Sequence, residues 1–280
     1  MLIPSIATPT GLSMLDAAWG GARGVERPAS DVAFGDHGQA LDIYRPKAVT
    51  GAARLPVVIF FYGGGWDSGT RQGYAFAGRA FAARGFVVIV PDYRKAPASR
   101  FPAFVQDGAQ AVRWVQDHIG DYGGDPARIA LVGHSAGAHI AALLTLDRRW
   151  LNAAGVRGDI PRAAVGLAGP YDFYPFDSPR AIAAMGDAVD PARSTQPIAS
   201  ARADAPPMLL ATGDKDDVVE PRNTNMLTAR LQALGAPVER RIYAGIDHVG
   251  ILTALSTPFR RKAPVLDDAD RFLKATMPPR

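Results

Sequence analysis

Short runs of consecutive apolar residues recur along this chain, and between them the apolar positions fall at helical spacing. Residues 56–62 (Pro-Val-Val-Ile-Phe-Phe-Tyr), 86–90 (Phe-Val-Val-Ile-Val), 129–132, 163–167 and 208–211 have the length of strands, and 238–243 makes a more polar one. Runs of this kind, apolar throughout rather than alternating, predict strands buried on both faces. Between them, residues 104–119 place Val105, Ala109, Val112, Val115 and Ile119 on one helical face and stop at Gly120. Residues 74–84, closed by Gly85, also predict helices, as do 136–146, 221–234 and 267–275. Strands alternating with helices predict an α/β fold with a mostly parallel sheet covered on both faces.

The ends and one interior stretch break this rhythm. Residues 1–30 are rich in Gly, Pro and Ala, with one helical turn expected over 12–19, and predict an N-terminal arm that is either packed on the domain or partly mobile. The domain proper then spans 31–280. It opens with an antiparallel hairpin, residues 32–34 and 41–44 around Gly35–Gly38. Residues 170–205 show no clean period and are expected to form an insertion of short helices above the sheet, roofing part of a pocket.

Composition narrows the function classes. The chain has 280 residues, 48% hydrophobic and 21% charged, as in ordinary globular proteins with a substantial core. The absence of cysteine excludes disulfides, thiolate catalysis and cysteine-based zinc sites. The net charge is +4, but the basic residues are scattered, with Arg260-Arg261-Lys262 the nearest thing to a run. Neither a nucleic-acid nor a membrane surface is predicted. Pro4 and Pro9 interrupt an N-terminus without a basic start, so no signal peptide or membrane span is read, and the expected location is the cytoplasm.

The chemistry concentrates around Gly133-His134-Ser135-Ala136-Gly137, a Gly-x-Ser-x-Gly with a predicted strand before it and a predicted helix after it. That context is what a nucleophile elbow requires: glycines clear space around a serine displayed on a sharp turn. The following helix N-terminus favours developing negative charge. A serine nucleophile needs a base, and the base needs an acceptor that fixes its tautomer. Of five histidines, His37 lies in a loop, His118 ends a helix, and His134 and His139 flank the serine; all four read as structural. His248 follows the last strand on the side where α/β sites form, and is the candidate base. Asp214, Asp216 and Asp217 follow the strand at 208–211, and spacing alone leaves the choice of acid open. Gly63-Gly64-Gly65, at a strand end and without the Lys of a phosphate loop, together with Ala136 offers backbone N–H groups for an oxyanion.

On these residues the chain resembles the α/β-hydrolase esterases of the hormone-sensitive-lipase-like and arylformamidase-like kind, which carry His-Gly-Gly-x-Trp before Gly-x-Ser-x-Gly. The matching stretches are Tyr62-Gly63-Gly64-Gly65-Trp66, Pro91-Asp92-Tyr93-Arg94, Asp125-Pro126-Ala127-Arg128-Ile129, residues 133–139, 213–219 and Asp247-His248. The resemblance implies an eight-stranded, mostly parallel sheet with a small cap insertion. It implies a triad of Ser135, Asp216 and His248, with oxyanion donors at Gly64, Gly65 and Ala136. Tyr62 stands where these families have His, which leaves the anchoring of the loop to be explained.

The expected activity is cleavage of a small-molecule carboxylic ester, with short-chain or aryl groups, through an acyl-enzyme and without metal or organic cofactor. Arylformamidase-type amide cleavage by the same machinery is the alternative, and a non-catalytic receptor on the same scaffold a more distant one. Tyr62, Trp66, Tyr171, Phe173, Tyr174 and Phe176 are candidate pocket walls, with core packing as their other use.

Overall fold

The computed structural model describes residues 8–48 and 54–279. Residues 1–7, where the expected arm begins and where a signal peptide was sought, lie outside the described residues.

Eight strands are present among the described residues, in the spatial order β1-β2-β4-β3-β5-β6-β7-β8. They are β1 (Val25–Phe34), β2 (Gln39–Pro46), β3 (Leu55–Phe61), β4 (Val87–Pro91), β5 (Gly124–His134), β6 (Pro161–Leu167), β7 (Met208–Gly213) and β8 (Val238–Tyr243). β2 runs antiparallel to both its neighbours, and every pairing from β4 to β8 is parallel. The central strands are buried residue after residue: Val57 to Phe61 and Ile129 to Val132 are each 0% exposed. A strand with no exposed face must be covered on both sides. α2 (Ala75–Ala82) packs against α10 (Val265–Thr276), while α3 (Ala103–His118) packs against α4 (Ala136–Leu146) and α5 (Arg148–Ala153). On α10, Val265, Leu266, Ala269, Phe272 and Leu273 are the buried stripe, the spacing of a helix with one face on a core.

The expected strands and helices recur with shifts of a few residues at their ends, and three differences have physical causes. First, β1 begins at Val25, inside the stretch read as arm. It is an edge strand whose Glu26, Arg27, Pro28 and Asp31 break any apolar run, and its pairing with β2 contains register shifts. Second, the arm holds a firmly docked helix, α1 (Pro9–Asp16), capped by Thr8 and started by a proline. Ser13 Oγ donates to Gly73 O at 2.6 Å, and the buried Asp16 pairs with Arg79 at 2.8 Å. Third, His248 does not sit in an open loop: it is the first residue of α9 (His248–Thr253), whose cap Asp247 accepts the Gly250 N–H.

The stretch 170–205 contains short helices as expected, α6 (Pro179–Met185) and α7 (Pro191–Ser194), followed by a 3-10 turn at Pro197–Ser200. Each starts on a proline, which suits the first helical position and stops any longer pattern from forming. α8 (Pro221–Ala233) joins β7 to β8. Among the described residues no helix is long and apolar enough to cross a membrane.

Candidate active site

The site lies where β3, β5, β7 and β8 end. β5 delivers the chain to Ser135, and α4 begins at the next residue. Between them Ser135 adopts φ 53° and ψ −123°, a conformation that L-residues avoid and that the surrounding packing must hold. The flanking glycines explain how. A Cβ on Gly137 would stand 2.0 Å from Phe61 O, and one on Gly133 would stand 2.3 Å from Gly137 O. Helix and strand therefore meet at a distance that only glycine permits. Ser135 N donates to Leu167 O at 2.9 Å, which ties the turn to β6.

Ser135 Oγ lies 2.9 Å from His248 Nε2. On the far side of the ring, Nδ1 lies 2.9 Å from Asp216 Oδ2 and 3.1 Å from Oδ1. A carboxylate only accepts, so Nδ1 carries the proton and Nε2 is left to accept from the serine hydroxyl. Asp216 is itself oriented by the Val218 and Val219 N–H groups, which donate to Oδ1 at 3.1 and 2.8 Å. All three side chains are buried. The neighbouring acids go elsewhere: Asp214 accepts the Gly245 N–H at 2.7 Å as an exposed turn residue, and Asp217 stands exposed at the cavity mouth.

The loop after β3 takes Gly64 and Gly65 through φ 129° and 58°. Among the described residues the N–H groups of Gly64, Gly65 and Ala136 have no protein acceptor, while Gly64 O is held by the N–H and hydroxyl of Ser68. Tyr62, at the position where related families carry His, is fully buried beneath this loop. Its hydroxyl donates to Asp92 at 2.7 Å, and its ring stacks between Tyr93 and Tyr74 at 4.7 and 5.3 Å. Tyr93 in turn donates to Tyr62 O at 3.0 Å. A tyrosine stack thus anchors the loop.

The two histidines near the serine are held by structural hydrogen bonds, on both ring nitrogens in His139 and through Nε2 alone in His134, whose buried Nδ1 has no partner among the described residues. His134 Nε2–H donates to His248 O at 3.0 Å, holding the backbone of the candidate base. Burial, and then the proximity of His248, push the His134 pKa down to about 3. His139 accepts the Trp66 indole N–H on Nδ1 at 3.3 Å and donates from Nε2 to Thr195 O at 2.7 Å. Burial pushes its pKa down to about 4. Trp66 has φ 61°, so His139 links a strained residue of the glycine loop to the 170–205 segment.

Ser135 and His248 open into a cavity of about 640 Å³. Of the aromatic residues expected to wall it, Trp66, Phe173 and Tyr174 do so. Tyr62, Tyr171 and Phe176 do not. Tyr62 belongs to the stack below the loop. Tyr171 turns inward to fill the space left at Gly166 and Gly169, where a Cβ would strike its ring or hydroxyl. Phe176 packs behind Phe173 and Tyr174, at 5.5 and 5.3 Å. The rest of the wall includes residues that sequence reasoning passed over, among them Pro9 and Leu12 of α1, Leu252 of α9, and Asn223 of α8. The α1 contribution had a signal in Thr8-Pro9, a cap followed by a helix-starting proline. Asn223 had none, because its position depends on how the segment 170–173, beyond the end of β6, folds back. Among the described residues no His, Cys, Asp and Glu cluster suited to a metal is found.

Comparison with known proteins finds similarity to esterases. The chain is 32% identical over 226 residues to esterase LipC of Mycobacterium tuberculosis, covering 72% of this chain and 55% of that one. It is 30% identical over 253 residues to the isoprenylcysteine alpha-carbonyl methylesterase ICME of Arabidopsis thaliana, covering 82% and 58%. The chain therefore spans little more than half the length of these relatives. Among solved structures, esterase B of Lactobacillus rhamnosis in a phosphonate-inhibited form superimposes with a TM-score of 0.80 at 19% identity, covering 95% of this chain and 91% of that one. At that identity the likeness establishes the α/β-hydrolase fold. The BD-FAE family model matches residues 41–231, a stretch that includes the glycine loop, Ser135 and Asp216 and stops short of His248. Since that match takes in well over half of the sequence, the chain belongs to the BD-FAE family.

Proposed function

We propose that the protein is a serine carboxylesterase acting on short-chain or aryl esters, and that Ser135, His248 and Asp216 are its triad. The unbroken line of hydrogen bonds from Ser135 Oγ through His248 to Asp216 carries the proposal. Ser135 Oγ attacks the ester carbonyl while His248 Nε2 takes its proton, and Asp216 stabilises the imidazolium that forms. The N–H groups of Gly64, Gly65 and Ala136 receive the negative charge of the tetrahedral intermediate. Collapse expels the alcohol with the proton from His248 and leaves an acyl-serine. Water, deprotonated by the same His248, then releases the carboxylic acid. The cycle uses protein groups and water alone. Relatives named as esterases support the chemistry. The cytoplasmic location rests on the sequence alone.

Incubation with a fluorophosphonate, followed by intact and peptide mass spectrometry, tests the assignment. One adduct per chain on Ser135 is expected, with parallel loss of aryl-ester turnover. Labelling elsewhere, or none in a folded and pure sample, overturns it. Faster cleavage of N-formyl aryl amines than of matched aryl esters would reassign the reaction to amide hydrolysis.

A further inference from the structure

Asn223 borders the cavity that holds Ser135, and only 8% of it is exposed. Its Oδ1 accepts two backbone N–H groups, from Tyr171 at 2.8 Å and from Asp172 at 2.9 Å. Only the oxygen of a carboxamide can accept, so these two bonds fix which way the amide faces. Nδ2 is thereby turned away from the 171–172 backbone. Among the described residues no hydrogen bond is found for Nδ2, and Asn223 is one of the residues that line the cavity. The neighbouring Asp172 carboxylate is taken by another donor: it accepts from Arg222 at 3.2 Å.

The chamber so formed has one flat apolar side, where Phe173 stacks on Trp66 at 5.9 Å with an interplanar angle of 14°. It also has one oriented, nearly buried donor. An apolar pocket with a few placed polar groups reads a polar atom at a set position on its ligand. A site built to hydrogen-bond such an atom discriminates against the analogue that lacks it.

We propose that Asn223 Nδ2 is a substrate-binding donor, and that the protein selects esters bearing a second oxygen acceptor besides the scissile ester group. An ether, carbonyl or hydroxyl oxygen would serve. The proposal rests on the esterase assignment.

Two substitutions separate the donor from the clamp. Asn223→Asp keeps an oxygen for the Tyr171 and Asp172 N–H groups and replaces the donor with an acceptor. Asn223→Ala removes both. The probes are matched pairs in which an ether oxygen replaces a methylene: 2-methoxyethyl butyrate against butyl butyrate, and butyl 3-methoxypropionate against butyl pentanoate. Intrinsic reactivity cancels when the kcat/KM ratio of a pair is compared between enzymes. For at least one pair the wild-type preference for the ether is expected to exceed that of both variants by roughly three- to tenfold, the range of one neutral hydrogen bond. If both pairs give the same ratios in all three enzymes, Asn223 is a structural clamp only and the proposal is overturned. Should Asn223→Asp fail to fold, the Ala variant still decides, because the ratio reads the donor whatever happens to the absolute rate. Wild-type enzyme that cleaves none of the four esters would instead overturn the esterase assignment.

Discussion

His248 and Asp216 face each other squarely: Nδ1–H reaches both carboxylate oxygens, at 2.9 and 3.1 Å, and Asp216 is 3% exposed. The loop that presents Asp216 spends two backbone N–H groups on orienting it. A carboxylate held this way does more than balance charge. It fixes which ring nitrogen bears the proton, and so whether Nε2 can accept from Ser135.

Asp216→Asn keeps the size of the side chain and offers an N–H where an acceptor is needed, which selects the wrong tautomer. Turnover should fall by about 10⁴ with little change in fold. Asp214→Asn and Asp217→Asn touch a turn and the cavity mouth, and should keep activity within about tenfold, since surface changes of this kind rarely cost much. Rates and melting temperatures for the three variants check this. Normal turnover by Asp216→Asn would move the acid elsewhere.

Stability should depend on pH through His134 and His139, whose pKa values burial lowers from 6.5 to about 3 and about 4. In the unfolded chain both histidines take up protons as the pH falls through their ordinary range; in the folded chain they do so only well below it. The unfolded state binds more protons in between, so stability is fully present above about pH 6.5 and declines as the pH drops. Each histidine contributes a slope of about 1.4 kcal/mol per pH unit once its unfolded form is protonated. Denaturant titrations between about pH 6.5 and 5 measure it, above the usual carboxylate range. His139→Gln should remove about half of the slope. A stability flat across that window would mean that neither group is held neutral by the fold.

Tyr62→Phe keeps the stack with Tyr93 and Tyr74 and removes the bond to Asp92. Asp92 Oδ1 still accepts the Arg71 N–H at 3.1 Å. Loss of one buried bond should cost about 1 kcal/mol of stability. Turnover should stay within about threefold, since no catalytic contact passes through the hydroxyl. A large loss of kcat with unchanged stability would show that the hydroxyl takes part in the reaction.

The parts of this architecture legible in the sequence are those with local causes. Val57 to Phe61 and Ile129 to Val132 read as buried strands because they are apolar on both faces, and both are. The elbow was visible because Gly137 has no other way to pass Phe61, nor Gly133 to pass Gly137. Edge strand β1 was read too short, since one of its sides meets solvent and its side chains are correspondingly mixed. The pocket walls were the least legible. Aromatic composition alone could not separate Phe173, which faces the cavity, from Tyr171 two residues earlier, which the Asn223 clamp turns into the core. Asn223 acts across a separation of about fifty residues, and nothing in its local sequence announces that. The three acids after β7 stayed open for a similar reason: which of them meets His248 is decided by how the turn faces β8, and only the family resemblance favoured Asp216.

The most direct test of the account is the turnover of Ser135→Ala on a short aryl ester, measured beside wild type on samples with matching melting curves. Removal of the nucleophile should cut kcat by many powers of ten, to a residue supplied by the oxyanion donors and binding alone. Retention of more than about a tenth of wild-type turnover would contradict a mechanism through an acyl-serine at this position.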